Sequence, residues 1–433
     1  MKIALLGNMN NNNFSLMRYF RDIGIDAHLL LSSNDGVSIS SHFKPDSDTF
    51  EINKWKPFIH QTKISENIVS SFNFPTSWSL SLRSFYRSKK NKKNLFYAPI
   101  SKNYLRNLFK GYTHFIGSGI YPSVLKRING SLDIFYPYAL GVEYYDNQEL
   151  KSLINQKGIF AKYIFSKVKK KQCNGIKKAK LIINTDPSSS LKAFKKIGVD
   201  PITMFVPMIY NKEVVNKNLI DDKICKILEK IKKVSFSILS HSRLLWKKPS
   251  YFSDAEWIYQ NKNNDRFIRA FARLKKHINN FDLLLILFEY GDDVEITKKL
   301  INELGITKNV LWLPKMERKN IFKILQEVDV GIGEFYDVLN VPFGGTALEI
   351  MAAGKPLIQT LDFSKDQYFK TYNIPMPPVL AARTEKEIFS SILSMIEDGE
   401  LKLKIGKLSK KWFNDYQGIE LAKKWASLLE AKS

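Results

Sequence analysis

The sequence predicts an α/β protein built of two doubly wound, Rossmann-like domains that face a cleft. Short apolar runs of strand character alternate with segments of helical spacing, they do so in two sets divided by a polar stretch, and 433 residues are too many for one small domain. Such alternation implies parallel sheets covered by helices on both faces, with ligands held where the carboxyl ends of the strands open.

The first set of strand runs lies at 3–6, 27–31, 115–116, 133–136 and 181–184, with a helix expected over 16–23. The second set lies at 234–239, 283–288, 310–313, 328–332 and 357–358. Between them, a polar and charged stretch follows Asn211 and continues to Lys233. It puts the domain boundary near residue 212, giving a first domain over 1–212 and a second over 213–410. A hydrophobic fraction of 44% fits packed globular domains rather than disorder.

Composition narrows the chemistry. The two cysteines, Cys173 and Cys225, have neither CxxC spacing nor a histidine cluster nearby, and the six histidines are scattered. No disulfide framework, zinc site or other metal site is expected, and a reducing cytoplasm fits. The apolar run 283–288 is far too short to span a bilayer, and no signal-peptide pattern precedes the first strand.

A formal net charge of +25 creates a broad positive potential that attracts polyanions. Basic residues concentrate at 83–93 and 162–180, interleaved with aromatic and aliphatic side chains. That mixture suits an anionic membrane face, where each basic residue contributes about 1 kcal/mol; it also fits a solvated lysine-rich face. No aromatic RNA-binding signature or helix-turn-helix pattern is present, so nucleic acid is not an expected partner.

The densest chemical signal is a glycine pair, Gly344 and Gly345, opening a helix at Thr346. Glycine lets the backbone approach a ligand, and the free N–H groups and positive dipole end of the helix favour a phosphate. Glu349, one turn in, is placed to accept hydrogen bonds from sugar hydroxyls. Gly354 and Pro356 end the helix before the next buried strand. An ordinary helix between two parallel strands explains the same pattern.

With these residues in view, the second half of the chain resembles the donor domain of GT-B glycosyltransferases, and is most similar to glycosyltransferase family 4. The likeness covers most of the second half and the first half only loosely. After its first donor-domain strand the family carries an arginine and then a Lys-Gly pair that hold the donor diphosphate. Arg243 matches the arginine. Lys262, followed by Asn263 in place of glycine, matches the lysine when counted back from the next helix, whereas Lys248 matches by direct spacing from Arg243. Fixed cations are needed there because charge grows on the diphosphate as the glycosidic bond breaks.

Further matches are the turn at Gly291 and Asp292, the loop at Pro314 expected to cup the base, and Glu349, which the resemblance places on the nucleotide ribose. The family's earlier, sugar-side glutamate falls at position 341, where this chain has Val341; Glu334 and Asp337 are the nearest upstream acids. The segment 411–433 resembles the closing helix that crosses back to the first domain. Trp412, Phe413 and Trp425 are then core or interdomain anchors.

In the first domain, Gly7 and Asn8 follow the first strand where the family has a flexible glycine-bearing loop beneath donor phosphate and acceptor; an ordinary structural loop capped by asparagines fits equally. Ser118, between Gly117 and Gly119, and Glu143 are expected on the acceptor side, Glu143 as the acid that activates the acceptor or positions the sugar.

The resemblance implies a retaining, metal-independent glycosyltransferase without a cofactor, using a nucleotide-diphosphate sugar and a lipid-linked or cell-surface glycan acceptor. Its expected location is the cytoplasm, peripheral on the inner face of the cytoplasmic membrane. The alternatives are a nucleotide-sugar epimerase on the same scaffold and a non-catalytic basic protein that binds membrane or nucleic acid by charge.

Overall fold

Apolar runs too short for helices fold here as the central strands of two parallel sheets. The structure, a computed structural model, describes residues 1–32, 44–64, 101–137, 159–185, 187–213, 220–338 and 343–431. The chain divides into two compact units: Met1–Pro45, Glu51–Met208 and Leu421–Ser433 in the first, and Asp46–Phe50 with Ile209–Glu420 in the second.

The first unit holds a seven-stranded sheet of order β3-β2-β1-β4-β5-β6-β7. Its strands are β1 (Lys2–Leu6), β2 (Asp26–Leu31), β3 (Ile59–Gln61), β4 (His114–Gly117), β5 (Ile134–Phe135), β6 (Leu181–Asn184) and β7 (Ile202–Thr203). Every pairing is parallel, with β1 between β2 and β4 and Leu6 opposite Gly117. The helices used below are α1 (Asn12–Asp22), α2 (Lys102–Leu108), α3 (Tyr121–Lys126), α4 (Ile159–Ile176) and α5 (Pro187–Ile197). Strand order reverses between β1 and β4, so Gly7 and Ser118, which follow them, sit at the switch point of the sheet.

Helix α1 starts four residues earlier than the apolar spacing suggests. Asn10 and Asn11 take left-handed φ values of 53° and 56°, a conformation asparagine tolerates, and the Asn8 side chain accepts a hydrogen bond from the Phe14 N–H at 3.0 Å. The asparagine run is thus a sharp entry into the helix. Phe14, Leu16, Met17, Tyr19 and Phe20 are then wholly buried.

The second unit holds a six-stranded parallel sheet of order β10-β9-β8-β11-β12-β13. The strands are β8 (Phe236–Ser240), β9 (Leu283–Phe288), β10 (Val310–Leu313), β11 (Val330–Ile332), β12 (Leu357–Gln359) and β13 (Leu380–Ala381). Around them lie α6 (Asp222–Lys233), α7 (Asp254–Gln260), α8 (Asn264–His277), α9 (Val294–Glu303), α10 (Arg318–Leu325), α11 (Gly345–Ala352), α12 (Lys365–Tyr372), α13 (Glu385–Glu397) and α14 (Gly399–Tyr416). The switch point falls between β8 and β11.

The closing helices divide between the units. Trp412, on α14, donates to the Pro375 carbonyl at 2.8 Å and packs edge-on against Phe343, both within the second unit. Helix α15 (Ile419–Glu430) groups with the first unit from Leu421 onward. There Trp425 is fully buried, donates to the Phe205 carbonyl at 3.1 Å and meets the Tyr136 ring edge-on at 5.5 Å. Among the described residues, no helix is long and apolar enough to cross a membrane.

Candidate functional site

The second sheet delivers the candidate side chains at its switch point. Strand β8 runs out into His241, Ser242 and Arg243, and β11 into Gly333 and Glu334, so these residues share the carboxyl edge between two neighbouring strands.

The loop after β8 is held rigidly. Gly291 has a φ of 121°, and a Cβ there would lie 2.2 Å from the Leu244 carbonyl oxygen, so no other residue fits this approach. The Asp293 carboxylate accepts from the Trp246 and Lys247 N–H groups at 2.5 and 2.7 Å. Gly291 of the expected Gly-Asp turn and the following Asp293 therefore clamp the Arg243 loop, while Asp292 accepts from the Tyr251 hydroxyl. The same loop is tied to the start of α8: the Leu245 N–H donates to Asn264 at 2.8 Å, and the Lys262 N–H donates to the Leu245 carbonyl at 2.8 Å. Asn263 then turns the chain with a left-handed φ of 45°, a conformation asparagine tolerates and glycine adopts freely.

These ties separate the two lysines that spacing leaves open. Lys262 is turned inward, its Nζ 2.9 Å from Glu334 Oε1, with the two side chains only 13% and 15% exposed. It also donates to the Tyr336 hydroxyl, which in turn donates to the other Glu334 oxygen. Lys248 points away on the surface, paired at 2.5 Å with Asp254, which is 95% exposed. Arg243 donates to Gln260 at 3.1 Å, and its charge acts on both Glu334 and Tyr336. Asp337, the other upstream acid, faces Arg266 at 2.9 Å.

Helix α11 meets this cluster end-on. Gly344 is its N-cap and has no side chain with which to cap the first N–H groups of Gly345, Thr346 and Ala347. A Cβ on Gly344 would lie 3.5 Å from Glu334 Oε2, which puts that carboxylate, and the Lys262 ammonium bound to it, at the helix mouth.

One turn further in, Glu349 is buried, with each of its two oxygens held by one partner. One oxygen lies 2.6 Å from His241 Nε2 and the other 2.7 Å from Arg318 Nε, while Arg318 Nη1 reaches Asp48 at 2.9 Å. His241 Nδ1 is buried without a hydrogen-bond partner among the described residues. Asp48 sits in a 3-10 turn, Pro45–Asp48, whose residues from Asp46 onward group with the second unit. Sequence reasoning missed His241 and Arg318; their signal was position alone, at the exit of β8 and the entry of the helix after the Pro314 loop. Pro314 itself follows the edge strand β10 and is exposed.

Burial pushes the Glu349 carboxyl up, but the Arg318 charge and the His241 hydrogen bond outweigh it and hold it below the usual range. Glu334 follows the same pattern, with burial opposed by Lys262, Tyr336 and Arg243. Burial and the Glu334 charge raise Tyr336 well above the ordinary phenol value, so it stays a donor. Lowered carboxylates stabilise the fold fully above their unfolded value of about 4.3 and lose that contribution as pH falls through the native values. Urea midpoints are therefore expected to drop below about pH 4, and Glu349→Gln to flatten that drop; an unchanged slope in the variant contradicts the coupling.

In the first unit, Gly7 has a φ of 84° and Asn8 is buried, its amide donating to Asn11 at 2.6 Å and its oxygen capping α1. The Asn8 side chain is thus committed to shaping its own loop. Ser118 is wholly buried, and its hydroxyl has no partner among the described residues. Glu143, Val341 and the basic stretch 83–93 lie outside the described residues. Among those described, no group of three or more His, Cys, Asp or Glu is placed to hold a metal ion.

Residues 247–412, inside the second unit, match the family model of glycosyl transferases group 1. The protein is a glycosyltransferase. Among solved structures, the glycosyltransferase resembles HepE of Anabaena in complex with UDP, at 14% identity over the whole of both chains with a TM-score of 0.55. TarM of S. aureus, in complex with fondaparinux, alpha-GlcNAc-glycerol and UDP, is similar at 12% identity over 99% of this chain and all of that one, TM-score 0.54. A glycosyltransferase of Rickettsia africae matches at 14% over 100% and 98%, TM-score 0.52. The likeness is one of fold, the GT-B type with two parallel sheets. No curated protein matches the glycosyltransferase in sequence.

Proposed function

We propose that the chain is a family 4 type enzyme that moves a sugar from a nucleotide-diphosphate donor to a lipid-linked or cell-surface glycan, with retained configuration and without a metal ion. The observation that carries this reading is the convergence of Arg243, Lys262 and the glycine-led start of α11 at one switch point. Cations and N–H dipoles fixed before reaction stabilise charge that develops on a departing diphosphate without reorganising. Glu349, held by Arg318 and His241, is the ribose group, and its remaining lone pairs accept the hydroxyls. Structures of similar fold hold UDP and, in HepE, UDP-glucose, which makes a uridine donor the first to try.

Retention of configuration and independence of metal follow the resemblance to the family. Docking on the inner face of the membrane is supported by α4, where Ile159 and Tyr163 are 86% and 58% exposed beside exposed lysines. Nucleic acid has no motif to recommend it.

The test is a thermal-shift series over nucleoside diphosphates and their sugars, followed by product analysis with and without acceptor. A donor is expected to raise the Tm of the wild type and not that of Arg243→Ala. A shift that survives in Arg243→Ala removes the assignment, and sugar conversion without acceptor makes the enzyme an epimerase.

A further inference from the structure

The second unit has another polar pocket, of about 310 Å³, at the opposite end of the sheet from Arg243 and Lys262. It is framed where the chain enters β11 and β12 and is covered by α14. Four lysines line it, Lys355, Lys402, Lys407 and Lys410, together with the carboxylates of Glu327 and Asp329. We propose that this pocket is a binding site for the phosphate group of a phosphate ester, separate from the donor site.

Both carboxylates are already engaged. Asp329 is 2.5 Å from Lys402 and accepts from the Ser237 N–H and hydroxyl at 2.9 and 3.1 Å; Glu327 faces Lys232 at 3.7 Å. Lys355, Lys407 and Lys410 have no carboxylate partner among the described residues. Their ammonium groups are the only unmatched charges in the pocket among those residues, and they share one sign.

Lys355 is half-buried. Its burial pushes the ammonium below its ordinary value; Asp329 and Glu327 draw it back in part, and Lys402 and Lys410 add repulsion. A surface lysine avoids this by turning to water, but Lys355 lies in the tight connection between α11 and β12. Helix α14 approaches that connection closely because residue 406 is glycine: a Cβ there would lie 2.5 Å from the Gly354 carbonyl oxygen. Residues 403, 406, 407 and 410 share one face of α14, so the contact that brings Gly406 in also carries Lys407 and Lys410 to the pocket. An anion seated among them offsets the desolvation of Lys355 and the mutual repulsion together.

A phosphate has the charge and oxygen count to meet three ammonium groups, and Leu403, lining the pocket and 62% exposed, offers an apolar contact to the organic part of an ester. A soluble phosphomonoester and the phosphodiester of a lipid headgroup share this chemistry.

The site is tested by calorimetric titration of inorganic phosphate into full-length Arg243→Ala, which removes one of the two donor-site cations and weakens phosphate binding there. Binding is expected to persist in that variant and to weaken about tenfold on adding Lys355→Gln, and likewise on adding Lys410→Gln at an exposed position of α14. Flotation with vesicles of phosphatidylglycerol, against phosphatidylcholine, separates the sources. Vesicle binding lost in Lys355→Gln identifies a headgroup, and phosphate binding without vesicle binding identifies a soluble ester. Phosphate affinity unchanged by both lysine substitutions, or abolished by Arg243→Ala alone, overturns the proposal. A failure of the nucleotide-sugar reading leaves these outcomes unchanged, since none of them requires a donor.

Discussion

Lys262→Ala is expected to lower kcat for sugar transfer by about two to three orders of magnitude, the usual consequence of removing one preorganised charge from a developing anion. Lys262 is nearly buried, oriented by Glu334 and Tyr336, and held at the mouth of α11. A cation fixed in this way costs nothing to reorganise as the diphosphate departs. Loss of the ammonium also leaves the Glu334 carboxylate buried without its counter-charge, so a stability loss accompanies the substitution. The two effects separate in the double variant Lys262→Met with Glu334→Gln, which is expected to regain most of the lost Tm and none of the lost turnover. Lys248→Ala, at an exposed ion pair, is expected to change turnover by less than about twofold. Steady-state kinetics with a nucleotide sugar decide it: near-normal kcat in a folded Lys262→Ala protein ends the diphosphate assignment.

The strands that carry this geometry were legible because buried parallel strands are continuous apolar runs, and the runs at 3–6, 283–288 and 310–313 need no partner to be recognised. The strands β3, β7 and β13 were not, since each has two or three residues at a sheet edge and draws its pairing from a neighbour. Boundaries shifted where polar side chains set the backbone, as at the asparagine turn that starts α1 early. Site residues divide in a similar way. Arg243, Gly344 and Glu349 stand in local patterns around strand ends and a helix start. The partners that fix their state, His241 to Glu349 and Arg318 to Asp48, are far apart in sequence and have no local pattern. Spacing alone leaves Lys248 and Lys262 level; that the Lys262 side chain turns inward to Glu334 and Lys248 pairs with Asp254 at the surface is supplied only by the fold.

Arg318→Ala is expected to destabilise the second unit by about 3–5 kcal/mol, the cost of leaving buried charges unpaired. Two carboxylates depend on this guanidinium: Asp48 at 2.9 Å, its side chain 3% exposed, and Glu349 at 2.7 Å, its side chain 9% exposed. Burial weakens the Arg318 charge, yet the two carboxylates outweigh it, and the arginine stays protonated. Its planar fork reaches one acid through Nε and the other through Nη1, a geometry a single ammonium cannot copy, so Arg318→Lys is expected to recover less than half of the loss. Without the arginine, the buried Glu349 carboxyl loses the charge that holds its pKa down and relaxes by taking up a proton. The destabilisation is then expected to shrink as pH is lowered towards the ordinary carboxylate range, and to shrink at neutral pH when Asp48→Asn and Glu349→Gln are added. Urea unfolding of the four variants at two pH values measures both. A loss in Arg318→Ala that is the same at both pH values, and is not reduced by neutralising the acids, means that the side chain acts through packing alone. On the ribose-binding role proposed for Glu349, the result also bears on donor binding, because Arg318 and His241 keep that carboxylate ionised and fixed in place.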